Sequence, residues 1–497
     1  MRFIQNYLLP ILVFILGFLL RAQETLSNNF LFLIDQGRDM MAVKNIVFDH
    51  HLTLIGPYTS LQGVFQGPLY YYLLSIPTFI LKGDPWGGIF LMLLISLATM
   101  VIAFFWMKKL FGTNAALVTL FLVAICPAAA AGATYIWNPH PMWLLVTIYI
   151  FLFYEIHRNK RYQLFLWPIT ALMFHFQAAL AFFVLFASFL YSFIFGRRFF
   201  REKEFYLGLL ISVIFFLPQI IFELKHNFLM TKSIITLFHG KDQGLLVTGE
   251  PSKYKDLIDG HIFAFQVNFN SSFLHDGIMA NLPLLFFAFL ILMLLFANKL
   301  KIISKKDNDF VWTIARITLL ILLLMLLYPF PIRYWFLTGF EMFYIIPLGL
   351  LLSKMLNFTR AKLLLYLFCA LSILYLTPVI YKLYSEPDYG GIAKIKGKSD
   401  AIDFIYKDAD KKPFNLLVFT PPVYTYAYDY LIWWKAKEKH RYIPGNEKKG
   451  TFYLLMEPDP NQPWSYKGWL ETVIKTGKVI STTKLPSGLI VEKRIQE

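Results

Sequence analysis

Apolar runs long enough to cross a bilayer recur between Pro10 and Ile380, and the loops between them alternate in character. Basic clusters follow every second run: Met107–Lys109 (MKK), His157–Arg161 (HRNKR), Gly196–Lys203 (GRRFFREK), Asn298–Lys306 (NKLKIISKK) and Ser353–Lys362 (SKMLNFTRAK). The positive-inside rule places these clusters, with Arg2, in the cytoplasm. The pattern then predicts spanning helices near 7–27, 86–107, 114–133, 141–156, 162–176, 178–195, 205–222, 282–298, 310–328, 341–356 and 362–380. That is eleven crossings, with the N-terminus inside and the C-terminus outside. No small-residue cleavage pattern follows the first run, which reads as a retained helix and not a signal peptide.

Four loops fall on the predicted outer side. The first, 27–86, holds two short amphipathic pieces near Asp39–Phe48 and Pro68–Leu81, too short to span and expected to lie at the membrane surface. The second is Thr134–Pro141 (TYIWNPHP) and the fourth Tyr328–Glu341 (YPFPIRYWFLTGFE). The third, 223–281, is too long for a passive turn.

After Tyr381 the periodicity changes. Residues 381–398 read as a linker and 399–497 as a small extracytoplasmic α/β domain, attached to a membrane domain of residues 1–380. Within the α/β part the pattern predicts helices at Ser399–Asp408, Tyr424–Lys439 and Trp469–Lys475. It predicts strands at Phe414–Thr420, Thr451–Met456, Lys478–Lys484 and Leu489–Arg494. No glycine-rich nucleotide fingerprint or P-loop appears there.

Composition agrees with a polytopic membrane protein: 57% of residues are hydrophobic and 16% charged. The net charge of +16 would suit a nucleic-acid partner, but the basic residues sit in the short loops and no nucleic-acid motif accompanies them. Cys126 and Cys369 both fall inside predicted helices and read as packing residues.

The candidate chemistry begins at FLFLIDQGRDMM, Phe30–Met41. Asp35 and Asp39 are four residues apart with Arg38 between them, so on a helix they share a face. Residue chemistry alone leaves two readings open, a solvated loop or a functional cluster held in an apolar setting where charge is costly. A second cluster, Val64–Pro77 (VFQGPLYYYLLSIP), combines Gly-Pro with three tyrosines and fits an interfacial helix as well as a substrate-facing one.

Together these segments resemble the GT-C membrane glycosyltransferases, typified by protein O-mannosyltransferases and the lipid A aminoarabinose transferase. The resemblance rests on the acid–x–x–Arg of Asp35–Arg38 after the first helix, the GPYTS and GPLYYYLL segments, and LFG closing the second crossing. It rests also on TYIWNPHPMW and RYWFLTGFEMFYIIPLGLLL, and it covers roughly residues 1–380. It implies the GT-C fold and a polyprenyl-phosphate-linked sugar donor at the outer face of a prokaryotic plasma membrane. The acceptor would be a hydroxyl on a glycolipid, polysaccharide or protein. Asp35 matches the family's catalytic base, with Asp39 as a supporting acid. The leaving phosphate needs cations that do not themselves react: Arg38 and Arg333, with Tyr334, and Lys225 and His226 behind them. Gln66, Tyr70, Asn138, His140, His175 and Gln177 are candidates for sugar or acceptor binding.

The chain also departs from that family. Phe65-Gln66-Gly67 stands where the aminoarabinose transferases carry an acid and a lysine, and Asn138 with His140 stands where an acid is common in the second outer loop. No cofactor is required by the reading. A divalent metal is conceivable at Glu223 and His226, with His50, His51, His140 and His175 also on the outer side, but no tight metal-ligand spacing occurs. Two other classes compete. A secondary transporter or lipid flippase predicts mid-membrane ionisable groups and inverted repeats, whereas here the polar residues gather at the outer helix ends. A lipid-linked polysaccharide polymerase or ligase shares the donor but does not need the acid–x–x–Arg.

Overall fold

A computed structural model describes residues 8–238, 254–273 and 304–496, except 422 and 460. The predicted span at 282–298 lies outside them. The membrane part contains α1 (Leu9–Leu26), α2 (Ile34–Val47), α3 (Leu69–Ile80), α4 (Trp86–Phe111), α5 (Thr113–Ile125) and a short α6 (Pro127–Ala131). It continues through α7 (Met142–Glu155), α8 (Gln163–Met173), α9 (Ala178–Phe195), α10 (Lys203–Lys225), α11 (Leu229–Phe238) and α12 (Tyr254–Ser271). It ends with α13 (Lys305–Leu326), α14 (Met342–Lys354) and α15 (Thr359–Ser385). Among the described residues six of these, α1, α4, α9, α10, α13 and α15, are long and apolar enough to cross a bilayer, and α3, α5, α7 and α14 are shorter apolar helices.

The predicted single span at 114–133 is broken in two. Proline has no N–H and disfavours a helical residue before it, so the chain turns extended at Cys126 (φ −63°, ψ 114°), just before Pro127. The break leaves the last carbonyls of α5 without helical donors, and a side chain supplies them. Arg21 of α1, 1% exposed, donates from Nη2 to the Val123 carbonyl at 2.8 Å and from Nη1 to the Ala124 carbonyl at 2.7 Å. Its Nε donates to Ser96 of α4 at 2.9 Å, so one arginine ties three helices at the kink.

The segment read as a linker, 381–398, is helical at both ends: α15 continues to Ser385 and α16 starts at Ile395. Beyond it lie α16 (Ile395–Ala409), β1 (Asn415–Phe419), α17 (Tyr426–Lys435), β2 (Gly450–Met456), β3 (Lys478–Lys484) and β4 (Ile490–Gln496). The sheet order is β1-β2-β4-β3. β1 and β2 run parallel, joined by the crossover that carries α17, while β4 is antiparallel to both β2 and β3. β2 is buried on both faces, as its unbroken apolar sequence requires. Phe452, Leu454 and Met456 pack with Ile474 on one face, and Tyr453 and Leu455 join α16 and α17 on the other.

That second face is continuous with the core of the membrane part. Strand-like backbone bonds begin the junction, Phe32 N to the Ala393 carbonyl at 3.0 Å and Ile395 N to the Phe30 carbonyl at 2.9 Å. Tyr430 of α17 then donates to the Gly83 carbonyl at 2.7 Å. The C-terminal module therefore rests directly on α2, the helix that begins with the acid–arginine cluster.

Candidate active site

α2 starts at Ile34, five residues earlier than the amphipathic pattern alone places it, so Asp35, Arg38 and Asp39 are helical. Gln36 organises the start of the helix. Its Oε1 accepts from Leu33 N at 2.9 Å and its Nε2 donates to the Ile136 carbonyl at 2.9 Å, pinning α2 to the 132–141 loop. Asp35 lies in the first turn, where the helix dipole favours negative charge.

The three charges form one unit. Arg38 donates from Nη1 to Asp35 Oδ1 at 2.9 Å, and from Nε and Nη2 to Asp39 Oδ1 at 2.9 and 2.8 Å. The side chain of Asp35 is 48% exposed and that of Asp39 0%. Asp39 Oδ1 also accepts from the Tyr71 hydroxyl at 3.3 Å, whereas Oδ2 is buried with no partner among the described residues. Burial pushes the Asp39 carboxyl up to about 6, although Arg38 pulls it back. Burial alone would lower Arg38, but Asp39 and Asp35 outweigh it and hold the guanidinium protonated.

This geometry revises two of the sequence-based roles. Asp39, expected as a supporting catalytic acid, is sealed from solvent and its polar contacts run to Arg38 and Tyr71. Arg38, expected on the donor phosphate, spends Nε, Nη1 and Nη2 on the two carboxylates. The cluster thus presents one half-exposed carboxylate, Asp35, oriented by a braced arginine.

A second feature organises the surroundings: the turn between α8 and α9, Phe174–Gln177. Gly67 N donates to the Phe174 carbonyl at 3.1 Å, and Leu69 N to His175 Nδ1 at 3.2 Å. Asn138 Nδ2 donates to the Phe176 carbonyl at 2.7 Å, and Gln177 Nε2 to the Trp335 carbonyl at 2.8 Å. Gln66 Oε1 accepts from Ala178 N at 2.7 Å, capping α9. Three separate loops, around 56–69, 134–141 and 333–337, are thereby gathered on one point.

These bonds also show how the expected sugar-binding set is placed. Gln66, Asn138, His175 and Gln177 are all buried and hold loops together through backbone groups. His175 is occupied on both sides, since Nε2 faces the Phe215 carbonyl at 2.9 Å, and burial lowers its pKa to about 4. A ring that accepts at Nδ1 and donates at Nε2 is neutral and has no free nitrogen. His140 is buried among Tyr135, Trp137 and Trp143, and its pKa is pushed down to about 3. Tyr70 is fully buried against Phe176 and Tyr71.

The exposed candidates remain. Arg333 and Tyr334 are exposed, Arg333 lies over the Trp335 ring at 5.9 Å, and it makes no ion pair among the described residues. Burial raises the pKa of Tyr135, and Tyr334 and Asp35 raise it further. Lys225 and His226 are exposed at the end of α10. His226 stacks on Phe222 at 4.1 Å, and Phe222 packs on Phe65, which places them beside the 56–69 loop. Glu223 is committed elsewhere, accepting from Met230 N at 2.8 Å and from Thr231 N and Oγ1 at 2.9 and 2.6 Å. No group of three or more His, Cys, Asp or Glu side chains with metal-binding geometry occurs among the described residues.

Two residues of the region were given no individual role in the sequence reading. Tyr71 supports Asp39, and Gly37 lets α2 touch the C-terminal module: a Cβ there would lie 2.2 Å from Ala427 N. A buried acid, Glu341, also escaped notice. It accepts from Trp143 Nε1 at 2.9 Å, Gly339 N at 2.8 Å and Asn268 Nδ2 at 2.7 Å, and so joins α7, α12 and the start of α14. A lone carboxylate at the head of an apolar helix was its available sequence signal.

Comparison with known proteins agrees with this architecture. Residues 66–222 match the model of the dolichyl-phosphate-mannose-protein mannosyltransferase family. No curated protein sequence matches the chain. Among solved structures, ArnT from Cupriavidus metallidurans bound to undecaprenyl phosphate superposes with a TM-score of 0.58 at 12% identity, covering 99% of this chain and 98% of that one. The same protein in the apo state gives 0.59 at 12% identity, covering 98% and 97%. The fold is therefore the GT-C fold with a small C-terminal α/β module; the likeness of fold to ArnT spans nearly the whole chain, and the match to the mannosyltransferase family is confined to residues 66–222.

Proposed function

We propose that this protein is a membrane glycosyltransferase that moves a sugar from a polyprenyl-phosphate donor to an acceptor hydroxyl at the outer face of the plasma membrane, inverting the anomeric centre. The observation that carries the reading is Asp35, a half-exposed carboxylate in the first turn of α2, held by Arg38, which is itself braced by buried Asp39. The fold match adds a donor class, because the similar ArnT structure is described as bound to undecaprenyl phosphate.

In this mechanism Asp35 takes the proton of the acceptor hydroxyl as that oxygen attacks C1 of the sugar. The bond between C1 and the phosphate oxygen breaks, and the lipid phosphate leaves with the electron pair. The role of a phosphate partner passes from Arg38 to Arg333, exposed and without an ion pair among the described residues, which meets the growing charge on the leaving group. Tyr334 borders the same approach, and Lys225 and His226 extend the cationic rim. A lipid-borne donor suits a site at a helix end: the tail stays in the bilayer while the headgroup meets the carboxylate.

The test is transfer of labelled sugar from polyprenyl-phosphate donors in membranes, comparing wild type with Asp35→Asn. The expected result is a new glycosidic product in wild type and its loss in the variant. Equal transfer by both removes Asp35 as base. Label crossing vesicles with no new glycosidic bond would identify a transporter or flippase instead.

A further inference from the structure

The opposite end of α7 holds a cavity that the proposed transfer reaction does not use. α7 has fourteen residues, so its two ends are about 20 Å apart. Trp143, near one end, adjoins His140 and the loop that meets α2. The other end, with the ends of α9 and the start of α13, surrounds a cavity of about 950 Å³. Its charged lining is one-sided: Arg158, Lys305, Lys306 and Arg316 against the single carboxylate of Asp309, with Trp312 among the aromatic walls.

Local partners do not cancel this charge. Asp307, the neighbouring acid, is committed to Lys354 at 2.7 Å and to the Ser304 cap. Arg158 reaches Glu155 only at 3.7 Å, and Lys306 donates to the Leu110 carbonyl. Lys305 and Arg316 make no ion pair among the described residues. Arg316 is the informative one. It lies eleven residues into an apolar helix, about 16 Å from Lys305 along the axis. There it is exposed, flanked by the Phe195 and Trp312 rings at 5.1 and 5.8 Å and beside the Tyr191 hydroxyl. An arginine inside a span is costly unless an anion or water meets it.

The same face of α13 continues outward as Leu319 and Leu323, 52% and 45% exposed, three and seven residues beyond Arg316. Cations at the cavity floor therefore join an apolar strip on the lipid-facing surface. We propose that this cavity binds the phosphodiester headgroup of an anionic membrane lipid, with its acyl chain lying along Leu319 and Leu323. Basic pockets between membrane helices, on the side that carries the basic loops, are suited to such headgroups. This site is separate from the Asp35 cluster and does not depend on the transfer reaction.

The full-length protein, purified and exchanged into micelles or nanodiscs, tests it by lipid retention in native mass spectrometry. Phosphatidylglycerol and phosphatidylcholine are compared in wild type, Arg316→Gln and the rim double variant Arg158→Gln/Lys305→Gln. Wild type is expected to retain phosphatidylglycerol about tenfold better, with that preference falling to about twofold in Arg316→Gln and to none in the rim double variant. The rim variant carries the test if Arg316→Gln fails to fold. Equal retention of the two lipids in wild type, or an unchanged preference in the variants, overturns the proposal. Millimolar inorganic phosphate forms the competing arm: full displacement of the lipid would make the ligand a soluble phosphate and overturn the lipid assignment.

Discussion

Arg38 Nε and Nη2 both bond one oxygen of Asp39, Oδ1, at 2.9 and 2.8 Å, while Asp39 itself is fully buried. A bidentate grip of this kind restricts rotation of the guanidinium. Its remaining Nη1 then points to Asp35 at 2.9 Å, so the position of the exposed carboxylate is set by a buried one a helical turn away. The cluster that looks in sequence like two equivalent acids is in space an exposed carboxylate, a strut and a buried anchor.

The first prediction separates base from anchor. Asp35→Asn keeps the shape and the Arg38 contact through its amide oxygen but removes the proton acceptor. It is expected to lower kcat by about 10²- to 10⁴-fold with little change in the donor KM. Asp39→Asn leaves Asp35 ionised and loosens only its orientation, so a fall of about tenfold is expected. Steady-state transfer kinetics in proteoliposomes distinguishes them, and a larger loss in Asp39→Asn would reverse the roles.

The second prediction concerns pH. Asp39 has a folded pKa of about 6, above the ordinary 3.8. The folded state then holds this proton more tightly than the unfolded state between those values, so stability from this group falls as pH rises through that window. At about 1.4 kcal/mol per pH unit, the effect reaches about 3 kcal/mol at most. Wild type in detergent should gain thermal stability relative to Asp39→Asn as pH drops from about 6.5 to 4. Parallel melting curves across that range would show that Asp39 is not held above its ordinary value.

Reading the chain without a structure placed the six long apolar helices and the charged cluster because hydrophobic periodicity is a local signal. The α/β module was legible for the same reason, with β2 and β3 placed within one residue of their observed bounds. Burial was not legible. Gln66, Asn138, His175 and Gln177 have the chemistry of sugar-binding residues, and only the folded turn between α8 and α9 shows that each is buried and gives at least one polar atom to backbone. The break at Cys126 was signalled by Pro127, but its compensation by Arg21, more than a hundred residues away, has no local trace.

That compensation supports a third prediction. Arg21→Met matches the length of the side chain but leaves the Val123 and Ala124 carbonyls without donors in a buried setting. Each orphaned acceptor costs about 1–3 kcal/mol. The variant should insert with a lower folded yield and a reduced Tm by fluorescence-detected chromatography, while the residual folded protein keeps its donor KM. Unchanged Tm would mean that the α5 kink does not rely on Arg21.

Gly37 supports the last prediction, and it couples the module to the chemistry. A Cβ at this position would meet Ala427 N at 2.2 Å, Ala427 Cα at 2.4 Å and Tyr426 C at 2.5 Å, all backbone atoms of the start of α17. Backbone cannot swing aside like the end of a side chain, so Gly37→Ala must separate α2 from α17 by about 1 Å to reach ordinary contact distances. Arg38 is the next residue and Asp35 lies two residues before, so the proposed base moves with the helix. A displacement of about 1 Å in a positioned group is enough for a loss of about 10²-fold in rate. Gly260→Ala is the control: that glycine also lies in a helix, but a Cβ there meets nothing within 4 Å, and the substitution is expected to leave transfer unchanged. If Gly37→Ala transfers sugar as fast as Gly260→Ala, the close contact between α2 and α17 plays no part in holding Asp35.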